Sequence, residues 1–326
     1  MSFLSYLLVG TSLGMAVAAS ADTALAQHCP SKSVRLIVPF SPGGGTELVV
    51  RTVATKLTEL RKQSVIVDNR GGASGNIASE LVARAAPDGC TLLFGHSSPI
   101  VINPILFKAL PFDTVKDFAP VSLLGSVQFL LVVHRTVPAG SVPELIALIK
   151  SKPGELPYGS GGAGSPPHLA AELFKSRTGV DMIPIPYKGG GPLEIAVLSG
   201  EVKIVFSAFS TSLPHVKTGV LKSLAVTGPK RSPAAPDVPT MQELGFADFD
   251  VRAWYGILAP AATPKAVIAG LNRDLVKIVG MPDVSESFRR GYADPATSTP
   301  DEFAAFIKAQ KLFWGKVLQG IDIKPD

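Results

Sequence analysis

Val34-Arg35-Leu36-Ile37-Val38-Pro39-Phe40-Ser41-Pro42-Gly43-Gly44-Gly45-Thr46 is the stretch on which the fold turns. Val34 to Phe40 is short and mostly apolar, as expected of a strand buried on both faces. A glycine-rich turn follows it. Beyond the turn, Val49, Val53, Leu57 and Leu60 recur at i, i+4, i+8 and i+11, one face of a helix. Val65 to Asp68 and Thr91 to Gly95 read as the next two strands. Strands alternating with helices at this spacing imply βαβ units and a parallel sheet.

The pattern then restarts. Phe129 to His134 reads as a strand, and Ser141-x-x-Glu144 as a capping box that opens a helix carrying Leu145, Ile146, Leu148 and Ile149. Tyr158 leads into Gly159-Ser160-Gly161-Gly162-Ala163-Gly164-Ser165, and a helix takes His168 to Lys175. Met182 to Pro186, Lys203 to Phe206 and Leu221 to Thr227 are further strands, completing a second α/β unit. After a loop punctuated by Pro229, Pro233, Pro236 and Pro239 comes a last strand, Trp254 to Leu258. Two helices close the chain. One starts at Thr263-Pro264, the other at the capping box Thr299-Pro300-Asp301-Glu302.

The 326 residues are 46% hydrophobic and 17% charged, enough chain for two domains. The net charge of +5 is scattered in single residues, without the basic clustering that nucleic acid requires. A mild positive excess suits a small anionic ligand. Phe3 to Ala19 is apolar and rich in small residues, and Ala24-Leu25-Ala26 is a small-x-small cleavage site, so residues 1–26 read as an export signal with Gln27 as the mature start. No Lys or Arg precedes Lys32, a departure from the usual signal. The alternative of a membrane anchor meets Gly10, Thr11, Ser12 and Gly14, which interrupt the apolar run.

One device repeats: a strand, a glycine turn and a helix start, at Phe40–Thr46, Asn69–Asn76, Gly159–Ser165 and Tyr187–Pro192. Free N–H groups at a helix N-terminus attract anions, and glycine lets a ligand approach the backbone. The same turns can also be plain connections. The Gly-Lys-Ser/Thr of a P-loop is absent, and the glycines after Phe40 do not fit G-x-G-x-x-G. Gly95-His96-Ser97-Ser98-Pro99 begins like a nucleophile elbow, but Pro99 replaces the closing glycine. The 5 histidines form no H-E-x-x-H pair, so no metal or cofactor is expected.

Together these residues resemble the substrate-binding proteins of tripartite tricarboxylate transporters, the Bug family. The resemblance spans nearly the whole mature chain. It is carried by Ser41–Thr46, Asn69-Arg70-x-Gly72-Ala73-x-Gly75-Asn76, Ala83–Gly89, Asn103-Pro104 and Lys116–Val121. It continues through Tyr158-Gly159-Ser160, His168-Leu169-Ala170, Pro186–Gly190, Leu213–Val216 and Trp254-Tyr255-Gly256. It implies an α/β, two-lobed type II periplasmic-binding-protein ("Venus flytrap") fold, each lobe a doubly wound, mostly parallel sheet. The expected lobes are 27–127 plus 251–326, and 128–250, with a hinge near 126–128 and 251–254. A small carboxylate would be captured between them, commonly through ordered water, and passed to the transporter's membrane subunits. The receptor is expected to be a monomer that binds and does not catalyse. A sensor for a membrane kinase and a periplasmic hydrolase are the alternatives.

The expected ligand-binding set is Ser41, Pro42, Gly43, Gly44, Gly45, Thr46, Gly75, Asn76, His96, Ser97, Ser98, Ser160, Gly161, Gly162, Ser165, His168, Tyr187, Lys188 and Ser207. Three departures from the family pattern matter. Pro166 and Pro167 stand where hydroxyl residues are usual, leaving Gly162 to Ser165 as donors at that helix start. His96 introduces an imidazole into the Gly95–Pro99 stretch, and Ser207 stands where Asp is frequent, which disfavours a ligand ammonium. The only 2 cysteines, Cys29 and Cys90, each precede a strand. In a lobe of strand order 2-1-3 those strands are neighbours, so an oxidising compartment allows a bridge; two free thiols are the alternative.

Overall fold

The structure is a computed structural model that describes residues 29–40, 42, 44–187, 190–319 and 323. The export segment 1–26, Gln27, Ser41, Gly43 and Lys188 lie outside the described residues. The chain opens with β1 (Ser33–Val38), α1 (Gly44–Arg61), β2 (Ser64–Asn69), α2 (Asn76–Ala83), β3 (Thr91–His96) and α3 (Asn103–Leu106). Next come β4 (Phe118–His134), α4 (Val142–Ser151), β5 (Tyr158–Ser160), α5 (Pro166–Thr178), β6 (Pro184–Pro186), α6 (Gly190–Ser199), β7 (Ile204–Ala208), α7 (Phe209–Lys217) and β8 (Leu221–Val226). It ends with β9 (Arg252–Pro260), α8 (Lys265–Val279), α9 (Pro282–Arg290), β10 (Asp294–Pro295) and α10 (Pro300–Val317).

The strands follow the order β2-β1-β3-β9-β4-β7-β5-β6, with β8 and β10 also paired to β4. β1 lies parallel between β2 and β3, and β5 lies parallel between β6 and β7. Antiparallel β9 and β4 join these two parallel groups. The hydrophobic pattern marks β4 only from Phe129, yet the strand begins at Phe118. Pro120 breaks the pattern; it sits where the register with β9 shifts, a place that tolerates a residue without an N–H. From Phe118 to Gln128 the strand pairs with β9, and from Phe129 to Val133 with β7.

Helices cover both faces. Val34, Leu36 and Val38 pack with Val49, Val53 and Leu57 of α1 and with Leu271 and Leu275 of α8. Ile37 and Leu93 face the other side, toward Ala78 and Val82 of α2 and Phe303 of α10. Burying each such side chain contributes about 1.5–3 kcal/mol, which is why the i, i+4, i+8 stripe on α1 was readable. In the second group Leu131, Val133 and Phe206 meet Leu145, Leu169 and Phe174, while Leu130, Val132 and Val205 meet Leu193, Val197 and Phe209. The Thr299–Glu302 capping box is present in full. At α4 the box is altered: Ser141 accepts from the Glu144 N–H, but the Glu144 carboxylate takes the Gly140 N–H at 2.7 Å.

Cys29 and Cys90 are bridged, their Cα atoms 4.8 Å apart. The Cys90 carbonyl accepts from the Arg35 N–H at 2.7 Å, which fixes β3 beside β1 at this edge. The bridge spans a sequence separation of 61. Closing a loop of that size stabilises the fold by about 4 kcal/mol in the chain-entropy description. Thiol titration of unreduced, denatured protein should therefore find no free thiol, and reduction should lower the unfolding free energy toward that limit.

Candidate ligand-binding cleft

The C-terminal ends of the parallel strands open on one cavity of about 450 Å³. One wall is Pro39 and Phe40 after β1, Gly71, Gly72, Ser74 and Gly75 after β2, and His96, Ser98 and Asn103 at and after the end of β3. The facing wall is the run from Gly161 to Pro166 after β5, with Tyr187 after β6. A crevice outside the carboxyl ends of parallel strands is where open α/β sheets take their ligands. None of the described lining residues is Lys, Arg, Asp or Glu. The polar groups that the described lining offers are backbone dipoles, hydroxyls, an amide and an imidazole.

The first wall is rigid. Gly75 has φ 89°, and a Cβ there would sit 3.0 Å from Pro39 and 3.2 Å from Pro99, so only glycine lets the three loops meet. Asn103 donates to the Ser74 carbonyl at 3.0 Å and to Asn76 Oδ1 at 2.7 Å, tying the β3–α3 segment to the start of α2. His96 stands across the ladder from Tyr255. Its ring meets the edge of Phe40 at 4.8 Å and tilts over Tyr255 at 5.8 Å, with Phe94 stacked behind Tyr255. Nδ1 of His96 accepts from the Ser98 N–H at 3.1 Å. Burial holds its pKa down to about 3. At neutral pH the ring is therefore uncharged, with its hydrogen on Nε2.

The facing wall is braced from behind. The Gly164 N–H donates to His168 Nδ1 at 3.3 Å, and His168 Nε2 lies 3.9 Å from Glu172. Glu172 accepts from the Tyr158 hydroxyl at 2.6 Å and from Lys175 at 2.9 Å. Burial, and then the Glu172 carboxylate, push the Tyr158 phenol up. The helix start itself offers little. Pro166 and Pro167 have no N–H, and Ser165 caps the His168 N–H at 3.4 Å. Contrary to expectation, Gly162, Gly164 and Ser165 also direct their N–H groups inward, to Ser160 Oγ, His168 Nδ1 and the Gly162 carbonyl. The Gly161 and Ala163 N–H groups meet no partner among the described residues. The two walls touch at Gly164, whose Cβ would fall 2.6 Å from Leu106.

Of the expected set, Gly75, His96, Ser98, Gly161, Gly162, Ser165 and Tyr187 line the cavity. Other members are elsewhere. Pro42 is exposed, Gly44 and Gly45 belong to α1, and the Thr46 hydroxyl pairs with Tyr255 at 3.1 Å. Asn76 is held by Asn103, Ser97 and Ser160 are buried off the wall, and His168 is the brace just described. Ser207 points into a polar cluster with Glu194, Thr211 and Ser212. Phe40 and Asn103 line the cavity but were not in the expected set. A lone Asn inside the apolar run Pro99–Leu106 was the readable signal.

Two α/β groups facing each other across such a cavity make a two-lobed solute-binding protein. Residues 49–323 match the tripartite tricarboxylate transporter family receptor, and the chain belongs to that family. Members are periplasmic receptors that bind small carboxylates for the membrane subunits of a transporter and are not enzymes; this chain is a solute-binding protein of that kind. Protein BugT of Bordetella pertussis is 36% identical over 307 residues, 94% of this chain and 93% of the relative. The structure titled R. palustris Rpa4515 with adipate matches at TM-score 0.82 and 33% identity, covering 92% of this chain and 100% of that one. MatC from Rhodopseudomonas palustris with bound malate matches at TM-score 0.76 and 30% identity, covering 89% and 99%.

The buried imidazole has a measurable consequence. Above about pH 6.5 His96 is neutral in both folded and unfolded chains and does not affect stability. Below that, the unfolded chain takes up a proton that the folded chain excludes until its pKa of about 3. Stability then falls by about 1.4 kcal/mol per pH unit from this group alone. Denaturant melts at pH 7 and pH 5 should show the wild type losing about 2 kcal/mol more than His96→Phe; equal losses would place the imidazole in solvent.

Proposed function

We propose that the ligand is a small carboxylate held in the 450 Å³ cavity by neutral donors. These are the N–H groups of Gly161 and Ala163, which meet no partner among the described residues, and the hydroxyls of Ser98 and Ser165. One observation carries the reading: donors converge from both walls on a space whose described lining bears no charged side chain. A carboxylate in a low-dielectric cleft needs several oriented dipoles, and charge-assisted bonds to them are short and strong. The adipate and malate in the two solved relatives are consistent with that chemistry.

The proposed lobes are 27–127 plus 251–326, and 128–250, moving about the point where β4 exchanges β9 for β7. Hinge closure brings the Gly161–Ser165 wall onto the anion, and the closed form docks on the membrane subunits. The receptor acts as a monomer in the periplasm after loss of Met1–Ala26, so mass spectrometry of the mature protein should begin at Gln27.

A thermal-shift panel of small carboxylic acids tests the central claim. A true ligand at 100 times its Kd stabilises the fold by roughly 2.7 kcal/mol. With that acid, Ser98→Ala should weaken binding by about 1 kcal/mol, roughly fivefold in Kd, by calorimetry. A panel in which no acid shifts the melt, or in which only amines do, overturns the reading.

A further inference from the structure

Two side chains that line the first wall each keep one polar atom with no partner among the described residues. His96 is 7% exposed, and its Nδ1 is engaged by the Ser98 N–H, a group that can only donate. Its remaining polar atom is Nε2–H, which has no partner among the described residues. Asn103 is 2% exposed, and its Nδ2 gives one hydrogen to the Ser74 carbonyl and the other to Asn76 Oδ1. The Ser74 carbonyl can only accept, which fixes the orientation of the amide. Its remaining polar atom is Oδ1, an acceptor. Both residues line the cavity and stand on one segment, separated by the turn Ser98–Ile102.

We infer that His96 and Asn103 form a neutral donor–acceptor pair that selects, among small carboxylates, those bearing a hydroxyl group. A carboxylate oxygen alone satisfies His96 but turns its lone pairs on Asn103 Oδ1. A methylene satisfies neither and leaves two largely buried polar groups without a ligand partner. An ammonium could donate to Asn103, but the described lining offers it no carboxylate, and stripping a cation of water without one is costly. A hydroxyl accepts from Nε2–H and donates to Oδ1, or donates to Oδ1 while a carboxylate oxygen takes Nε2–H. Sites that hydrogen-bond a substrate hydroxyl discriminate strongly against analogues that lack it.

This inference rests on the cavity being the carboxylate site, and the experiment separates the two. Calorimetry compares acids of one skeleton that differ only in the substituent: malate, succinate and aspartate; lactate, propionate and alanine; mandelate and phenylacetate; citrate and tricarballylate. In the best-bound set the hydroxy acid should bind at least tenfold tighter than its deoxy and amino counterparts. His96→Phe keeps the aromatic packing and removes the donor, and Asn103→Leu removes the acceptor; either should reduce the preference to threefold or less. Folding of each variant is checked by its melt. Because Asn103→Leu also loses two loop contacts, His96→Phe alone is sufficient for the decision. Equal binding of hydroxy and deoxy acids, tightest binding of the amino acid, or a preference unchanged in His96→Phe overturns the inference and leaves the carboxylate site standing. If no acid of any kind binds, the carboxylate reading fails and this inference fails with it.

Discussion

Everything in this protein hangs on β4 and its commitment on both edges. A buried strand must pair its N–H and C=O groups, and orphaned ones cost about 1–3 kcal/mol each. β4 meets that demand by pairing with β9 over its first part and with β7 and β8 over its second. The two parallel groups are thereby fixed to one backbone, with the C-terminal ends of their strands opening on a common space. The cavity is the result of that arrangement, and its walls are the loops any parallel strand needs to reach its helix.

Much of this was legible in the chain. The apolar run Val34–Val38 and the stripe Val49, Val53, Leu57 announced a strand and helix because burial imposes period on them. The neighbouring placement of Cys29 and Cys90 followed from a 2-1-3 order, which the sheet has. Hidden were the first part of β4, where Pro120 and Gly125 disguise the strand, and α9, whose charged sequence carries only Val284, Ser287 and Phe288 inward. The antiparallel direction of β9 was hidden too, since an apolar run such as Trp254–Leu258 has no orientation.

The site was half legible for a different reason. Glycine turns announce backbone that a ligand can approach, but the destination of each N–H depends on contacts that local sequence does not encode. His168 was identified by type, and it stands behind the wall, where the Gly164 N–H donates to its Nδ1 and Glu172 lies 3.9 Å from its Nε2. Ser207 was identified by its place after β7 and proved to belong to the Glu194 cluster. His96 sits at the cavity because β9 presents Tyr255 beside it, a partner 159 positions away by their numbers.

The two prolines at the start of α5 carry a consequence for how such receptors diversify. They occupy positions where proline is well tolerated, since its fixed φ suits the first turn and no intrahelical bond is lost. What Pro166 removes is a dipole at the wall of the cavity, and Pro167 the one after it in the chain. A codon change at Pro166 would return that dipole without altering the core, the sheet or the Ser165 cap. Ligand preference can therefore change at a position to which folding is nearly indifferent, while the sheet and its core stay as they are.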